Sequence, residues 1–313
     1  DWLSVYKVER SSTFNGGSDS ISFIPYLTVV YMMASLGAVL LLGSIMFTCT
    51  ANGFFVSSIK QIISQVPNVP CMVEHCSSQI FKCVQDADCR HTMECMQSCG
   101  MKNHTCMYGC LNTYEDAVFD SFMNCIVDGH HCMKLEPPDP EFRCKPPAYY
   151  MKNFTLDELI GSWYIVRGIN PDYDCFDCQI STYAPDPASS NYTLTEKYDI
   201  TMLNGSIRHR MAVQQVQQRD PQNGGLLDYT DTLMGLSMYE KWQVIDYDIT
   251  GQYAVVYYCG YMSDDWFYEG TLVYSRTPAL RNIDIPTITN VLKTKVGLDF
   301  NNMCAPKTKM CEQ

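Results

Sequence analysis

Cysteine is the residue type in this chain whose number and spacing most clearly imply chemistry. The chain contains 17 cysteines, a number typical of proteins that fold in an oxidising compartment. Two Cys-x3-Cys pairs flank a short turn, and residues four apart share one face of a helix. Two antiparallel helices would therefore join Cys95 to Cys110 and, inside that pair, Cys99 to Cys106. The other cysteines of this region are Cys71, Cys76, Cys83, Cys89, Cys125 and Cys132.

Redox and metal chemistry are the alternatives to structural bridges. Cys175 and Cys178 have the spacing of a thioredoxin-type dithiol, but no strand–helix–strand pattern surrounds them, which favours a structural role. Zinc is not expected, because Cys-x2-Cys occurs once and the six histidines show no ligand spacing. The sequence therefore predicts disulfides and no metal.

A long apolar segment is the second strong feature. No charged residue lies between Asp19 and Lys60, and residues 27–47 are almost wholly apolar. Such a stretch is long enough to span a bilayer as a helix, whereas a signal-peptide core would be shorter. We predict a polar tail over 1–20, a transmembrane helix over 21–52 and a connector over 53–70.

The rest of the chain divides by composition and period. Residues 71–135 interleave cysteines with polar residues, which predicts short helices stapled by disulfides, and residues 136–150 form a proline-rich linker. Residues 151–280 alternate apolar and polar positions and predict an antiparallel barrel, and residues 281–313 contain a helix and a tethered tail. The fold class is α+β. The candidate strands are 163–168, 179–184, 192–200, 207–216, 242–247, 253–258 and 271–275.

Charge excludes one class of partner. The net charge is −12, and the longest basic run is Arg208-His209-Arg210. Nucleic-acid binding requires a basic surface, so no nucleic-acid partner is expected.

Together these motifs resemble the violaxanthin de-epoxidase family. The resemblance covers roughly residues 71–304 and includes the spacings of the cysteines from Cys71 to Cys132. It also includes four short motifs, which are Trp163-Tyr164, Gly168-Ile169-Asn170-Pro171, Val256-Tyr257-Tyr258 and Val273-Tyr274-Ser275-Arg276.

The resemblance implies a fold, a compartment and partners. It implies a lipocalin-like barrel after the disulfide-stapled helical domain, a disulfide between Cys178 and Cys304, and a xanthophyll or other carotenoid ligand. It implies ascorbate as the reductant if the chain is catalytic. The location would be the chloroplast thylakoid membrane, with residues 1–20 on the stromal side, a single pass, and the main domains in the lumen.

The resemblance also implies site residues. Glu240 stands where the family has the first acid of an Asp-Asp-Trp run, and Lys241 replaces the second acid. A buried carboxylic acid with a raised pKa would protonate an epoxide oxygen. Asp174, Asp177 and Tyr258 match other polar positions of the family site. Substrate-binding aromatic residues would be Trp163, Tyr164, Trp242 and Tyr274.

Two main hypotheses stay open at this stage. The first is a membrane-anchored de-epoxidase in which Glu240 donates the proton. The second is a non-catalytic, xanthophyll-binding or structural subunit of a photosystem or antenna complex, which the apolar segment and the altered acid positions favour. A cell-surface glycoprotein with a lipocalin domain is a weaker third reading, suggested by sequons at Asn103, Asn153, Asn191 and Asn204.

Overall fold

The computed structural model describes residues 68–99, 103–135, 143–220, 224–262, 266–308 and 311. These residues all belong to one compact unit that spans 60–313. The predicted tail over 1–20, the transmembrane helix over 21–52 and most of the connector lie outside the described residues. Within the described part, no helix combines the length and apolar character that a membrane span requires.

Four helices form the cysteine-rich region. The first begins at Val69, inside the segment predicted as a connector, because the side chain of Asn68 accepts a hydrogen bond from the Cys71 N–H at 3.2 Å and Pro70 lies in the first turn. Proline is favoured there because its missing N–H has no helical partner. The helices are α1 (Val69–Gln85), α2 (Ala87–Cys99), α3 (His104–Tyr114) and α4 (Ala117–Asn124), the last continued by a π turn over Cys125–Gly129.

Five disulfides hold these helices together. Helices α2 and α3 form a hairpin with the nested bonds Cys95–Cys110 and Cys99–Cys106, the arrangement that the spacing predicts. Buried cysteines supply much of the interior of this region, since Cys76, Cys89 and Cys110 are fully inaccessible. The remaining bonds are Cys71–Cys132, Cys76–Cys125 and Cys83–Cys89.

The described residues then form eight antiparallel strands in a closed barrel, in which each strand pairs with the next and β1 pairs with β8. The sequence reading missed β5, because the inward position Asp231 breaks its apolar alternation. The strands are β1 (Gly161–Gly168), β2 (Asp177–Pro185), β3 (Tyr192–Thr201), β4 (Ile207–Gln218), β5 (Leu226–Leu233), β6 (Leu236–Tyr247), β7 (Tyr253–Met262) and β8 (Trp266–Ser275).

One end of the barrel is closed by Trp163 and Arg276. The Trp163 side chain is fully buried, and the Arg276 guanidinium lies 3.5 Å from its ring centroid. Arg276 also donates hydrogen bonds to the carbonyls of Ser162 and Ile160, at 3.1 and 3.0 Å. The guanidinium thus satisfies backbone groups that the start of β1 leaves without a partner.

The cysteine-rich helices cover the opposite end of the barrel. Arg210 of β4 forms an ion pair with Glu115 at 2.6 Å. Asn124 of α4 donates to the Gly235 carbonyl at 2.9 Å, in the turn between β5 and β6. The main chain of Asp120 approaches the same turn so closely that a Cβ at Gly235 would lie 2.1 Å from the Asp120 carbonyl oxygen.

The tail after the barrel corrects the disulfide implied between Cys178 and Cys304. The backbone of Cys304 pairs with Gly168 at the end of β1, beside the loop that leads to Cys175. The N–H of Cys178 instead donates to Lys307, three residues further along the tail. The structure therefore contains the disulfides Cys175–Cys304 and Cys178–Cys311. A further disulfide joins Cys144 to Cys259.

The C-terminal segment packs on the outside of the barrel. Helix α5 (Ile285–Val291) continues into a π turn over Leu292–Val296. Its buried residues join a second apolar cluster with the outer face of β1, which includes Tyr164 and Val166. This packing explains why β1 is buried on both faces.

Replacement of Arg276 by alanine should destabilise the barrel. The change removes the stacking on Trp163 and the hydrogen bonds to the Ser162 and Ile160 carbonyls, which should lower the free energy of unfolding by about 2–4 kcal/mol. Arg219→Ala removes only a surface pair with Asp228 and should cost less than about 1 kcal/mol. Denaturant unfolding measures both, and equal losses would contradict the role given to Arg276.

Candidate functional site

The candidate site is the interior of the barrel beneath the cysteine-rich helices. A cavity of about 60 Å³ lies there, and its lining includes Glu240, Asp174, Glu196, Trp242 and Tyr258. A larger hollow of about 420 Å³ lies along linker residues 148–153. Its lining contains no acid, so the chemistry is assigned to the barrel interior.

Glu240 lies inside the barrel on β6. Successive side chains of a strand point to opposite faces, so Lys241 lies outside, with its ammonium 5.8 Å from the Tyr261 ring centroid. Lys241 therefore lies on the face of β6 opposite to the Glu240 side chain. The two carboxylate oxygens accept hydrogen bonds from Tyr268 at 2.7 Å and Trp242 at 2.6 Å. Burial raises the pKa of Glu240, and these two hydrogen bonds oppose the rise.

Asp174 reaches the same interior from the loop between β1 and β2. It is 1% exposed, and Tyr258 donates to its Oδ1 at 2.7 Å. The backbone N–H groups of Ile169 and Asn170 donate to its Oδ2 at 3.1 and 2.9 Å. Burial raises the pKa of Asp174 from 3.8 to about 7, against the effect of these hydrogen bonds, and the charge of Glu240 adds to the rise.

Two further acids line the cavity and were missed by sequence reasoning. Burial raises the pKa of Glu196, on β3, to about 7, and the charge of Glu240 adds to this shift. Burial raises the pKa of Asp231, on β5, to about 6. The available signal was strand alternation, because Glu196 lies two residues after the fully buried Leu194.

A layer of hydroxyl groups lies between the cavity and the closed end. The Tyr183 hydroxyl lies 3.0 Å from that of Tyr229 and 3.3 Å from that of Tyr274, and Tyr274 donates to Ser181 at 3.2 Å. All three tyrosines are fully buried. Tyr274 therefore belongs to this internal network.

Trp242 is the predicted aromatic residue that lines the cavity. Its ring stacks on Tyr229 at 4.5 Å and on Tyr258 at 5.6 Å. Trp163, by contrast, lies at the closed end with Arg276 and donates its indole N–H to the Leu159 carbonyl at 2.7 Å.

Two predicted site residues lie outside the barrel interior. Tyr164 follows the inward-facing Trp163, so strand alternation turns it outward into the cluster with the C-terminal helix. Asp177 lies at the surface, where its carboxylate accepts from the backbone N–H and the side chain of Lys307 at 3.0 and 3.4 Å. The structure therefore places neither Tyr164 nor Asp177 among the residues that line the cavity.

Aromatic side chains close the mouth of the cavity. Tyr108 of α3 packs edge-on against Tyr173 with centroids 5.4 Å apart and lies 6.3 Å from Phe176. Phe176 stacks on Tyr198 of β3 at 5.1 Å. The cysteine-rich region thus contributes one side chain directly to the cavity lining.

Metal ligands are scarce in the described part of the chain. The group of potential ligands that comes together there consists of Cys95, Cys99 and Cys110. Their sulfur atoms are engaged in disulfides, so they are not available as thiolate ligands.

Comparison with known proteins identifies relatives over most of the chain. The family model described as the VDE lipocalin domain matches residues 68–308. The chloroplastic violaxanthin de-epoxidase of Arabidopsis thaliana is 27% identical over 275 residues, which cover 84% of this chain and 58% of that protein. The enzyme of the same description from Spinacia oleracea is 28% identical over 272 residues, covering 83% and 56%. The chain thus spans less than two thirds of the length of these relatives.

Solved structures are similar at a lower level. Insecticyanin from the tobacco hornworm Manduca sexta is 15% identical with a TM-score of 0.42, over 52% of this chain and 86% of that one. Lobster apocrustacyanin A1 is 15% identical with a TM-score of 0.35, over 48% and 78%. At these scores the fold assignment rests on the strand order itself.

The raised pKa of Asp174 predicts a stability that falls as the pH rises. Between pH 3.8 and about pH 7, Asp174 keeps its proton in the folded protein but has lost it in the unfolded chain. Folding stability is therefore highest below this pH window and decreases as the pH rises through it. We expect a lower Tm at pH 7 than at pH 5, measured by thermal unfolding.

The matched variants locate the effect. Asp174→Asn should reduce the pH dependence by the contribution of one carboxyl group, because Glu196 and Asp231 titrate in the same range. Asp177→Asn changes a surface carboxylate near the same loop and should leave the pH dependence unchanged. A Tm that rises between pH 5 and pH 7 would contradict the argument.

Proposed function

Because this chain belongs to the violaxanthin de-epoxidase (VDE) lipocalin family, we propose that it binds a xanthophyll in its barrel and reduces the epoxide of that ligand with ascorbate. The observation that carries the proposal is the group of acids that line one cavity, Asp174, Glu196 and Glu240. An apolar barrel that only stored a carotenoid would have no need to bury three carboxyl groups, each of which is costly to desolvate.

The chemistry requires a proton donor that keeps its proton. An epoxide oxygen is a weak base, so its departure as water needs an acid close to it. Burial raises the pKa of Asp174 and Glu196 to about 7, so both are protonated at an acidic pH. Ascorbate supplies the two electrons of the reduction and is converted to dehydroascorbate.

Glu240 is suited to stabilise positive charge on the substrate while another residue donates the proton. Both of its oxygens already accept hydrogen bonds, from Tyr268 and Trp242, and these favour its charged form. When a C–O bond of the epoxide breaks, the carbon develops positive charge. A fixed carboxylate in a water-excluded site stabilises such a charge. Burial raises the pKa of Glu240, so we assign the stabilising role to its carboxyl oxygens, which Tyr268 and Trp242 hold in place.

The cavity as it stands is too small for the whole ligand. Ligand sites are commonly about 300–1,000 Å³, whereas this cavity has about 60 Å³. A long polyene would enter where the aromatic side chains of Tyr108 and Phe176 close the mouth, and these would have to move. The end of the barrel at Trp163 and Arg276 is closed by packing and hydrogen bonds, so we assign entry to the other end.

The proposed location is the chloroplast, in the thylakoid lumen. The relatives are described as chloroplastic, and the disulfides of the described residues suit an oxidising compartment. Anchoring by a helix over 21–52, with residues 1–20 on the stromal side, remains part of the proposal.

A second candidate function is a non-catalytic xanthophyll-binding subunit of a photosystem or antenna complex. The tight interior favours it, because Glu240 and Asp174 have all of their carboxylate oxygens engaged by protein donors. Such a protein would hold a carotenoid without turning it over.

Turnover by the full-length chain separates the two functions. We expect the detergent-solubilised protein to convert violaxanthin or diadinoxanthin with ascorbate at about pH 5, on the acid side of the raised carboxyl pKa values. Glu240→Gln should lower kcat by about 100-fold, because it replaces a carboxyl oxygen beside the developing positive charge with an amide N–H group. Pigment analysis by liquid chromatography measures both.

The control is Asp177→Asn, whose carboxylate faces Lys307 outside the cavity and whose activity should equal that of the unmodified protein. Absence of turnover in folded, fully oxidised protein that still binds the pigment would support the non-catalytic subunit instead.

A further inference from the structure

Hydrogen-bonding capacity is divided unequally between the two walls of the cavity. On the wall formed by β6, β7 and the loop after β1, the carboxylate oxygens of Glu240 and Asp174 are all engaged by Tyr268, Trp242, Tyr258 and backbone N–H groups. On the opposite wall, formed by β2, β3 and β4, several polar atoms are not engaged. A polar group of a ligand would therefore form its hydrogen bonds with the wall of β2, β3 and β4.

Two buried glutamines on that wall each have a side-chain atom that lacks a hydrogen-bond partner among the described residues. Gln179 and Gln214 both line the cavity, and each is 4% exposed. The side-chain oxygen of each has no hydrogen-bond partner among the described residues. A buried acceptor left unpaired costs about 1–3 kcal/mol, so such atoms in a cavity indicate a ligand that donates hydrogen bonds.

Glu196 lies between these glutamines on the same wall. In the strand register it is opposite Ser181 on one side and Ala212 on the other. The Ser181 hydroxyl donates to Glu196 Oε1 at 3.0 Å. Within the described residues, Oε2 accepts no hydrogen bond, so one carboxyl oxygen is fixed by the protein and the other is available to a ligand.

The surroundings of Glu196 keep its proton in place. Burial has the largest effect on its pKa, and the charges of Glu240, Asp174 and Asp231, from the facing elements, act in the same direction, against the hydrogen bond from Ser181. None of the described residues that line the cavity is a lysine or an arginine. The proton of the acid form can therefore reside on Oε2, which no donor among the described residues engages.

The other two acids are less suited to donate. A protonated Glu240 or Asp174 would place its O–H against a tyrosine hydroxyl, an indole N–H or backbone N–H groups, which already donate to those oxygens. Proton transfer from either would first require these hydrogen bonds to rearrange. Transfer from Glu196 Oε2 would not.

We propose that Glu196 is the proton donor to the epoxide oxygen, and that Gln179 and Gln214 accept hydrogen bonds from a hydroxyl on the same end group of the ligand. The inference rests on the proposed de-epoxidase function and adds the orientation of the substrate. The proposed site favours xanthophyll epoxides that carry a hydroxyl on the same end group. Such an end group offers the epoxide oxygen as a hydrogen-bond acceptor and the hydroxyl as a donor.

The proton moves from Glu196 Oε2 to the epoxide oxygen while one C–O bond breaks, and the electron pair of that bond stays on oxygen. The carbon that becomes positive faces the Glu240 carboxylate. Two electrons from ascorbate and a second proton then release the oxygen as water and leave a C=C bond, with dehydroascorbate as the oxidised product.

The test compares turnover with binding in the full-length protein. Glu196→Gln keeps the shape of the side chain and removes its acidic proton, so kcat for violaxanthin should fall by at least about 100-fold. The Kd for violaxanthin, measured by quenching of tryptophan fluorescence, should change by less than about threefold. Glu196→Asp keeps an acid on a shorter side chain and should restore part of the turnover.

Two further variants complete the test. Asp199→Asn alters an acid on the same strand that pairs with His209 outside the cavity, and it should leave turnover unchanged. Gln214→Leu removes an acceptor for the ligand hydroxyl and should weaken binding of violaxanthin by about tenfold. Thermal unfolding confirms that each variant is folded.

The outcomes separate the two proposals. Full turnover by a folded Glu196→Gln variant would overturn the assignment of the donor and leave the de-epoxidase function standing. If Glu196→Gln weakened violaxanthin binding by the same factor by which it lowered turnover, the assignment of the donor would also be wrong, and Glu196 would be a binding residue. Violaxanthin binding by the unmodified protein without any turnover would instead contradict the proposed function, and the donor assignment with it.

Discussion

Desolvation of carboxyl groups inside a closed barrel is the constraint on which the rest of the structure depends. Asp174, Glu196 and Glu240 share one interior, and their charges repel each other there. Removing a carboxylate from water costs several kcal/mol unless hydrogen bonds or a proton compensate. Burial raises the pKa of all three, but donors engage both oxygens of Asp174 and Glu240 and only one oxygen of Glu196. Burial of these carboxyl groups disfavours folding. It also leaves three acids that differ in how many of their oxygens the protein engages by hydrogen bonds.

The aromatic residues follow from this constraint. A tyrosine offers an apolar ring to a polyene and a hydroxyl to a carboxylate, so one residue type can line the cavity and satisfy its acids. Tyr258 and Tyr268 donate to Asp174 and Glu240. Deeper in the barrel, Tyr183 and Tyr274 bond to each other. Tyr274 also donates to Ser181, which donates to Glu196, so the hydroxyl groups connect this layer to an acid of the cavity.

The sequence predicts those parts of the fold that depend on local pattern. The nested bonds of Cys95 and Cys99 follow from helical spacing, and most strands follow from alternation. It misses β5, because an inward acid such as Asp231 is recognisable as inward only once the barrel has closed. It misses Glu196 for the same reason. It gives Cys304 the wrong partner, because only the pairing of its backbone with Gly168 decides which of two nearby cysteines it meets.

That disulfide links the oxidation state of the protein to the geometry of the site. Cys175 directly follows Asp174, and its bond to Cys304 fixes the end of the loop that also supplies Tyr173 and Phe176 to the mouth. The Asp174 carboxylate in turn holds the N–H groups at the start of that loop. One segment thus carries an acid and part of the aromatic closure, and it is tied at one end by hydrogen bonds and at the other by a disulfide. An oxidising compartment is therefore a condition for the arrangement of the acids as well as for the folding of the helices.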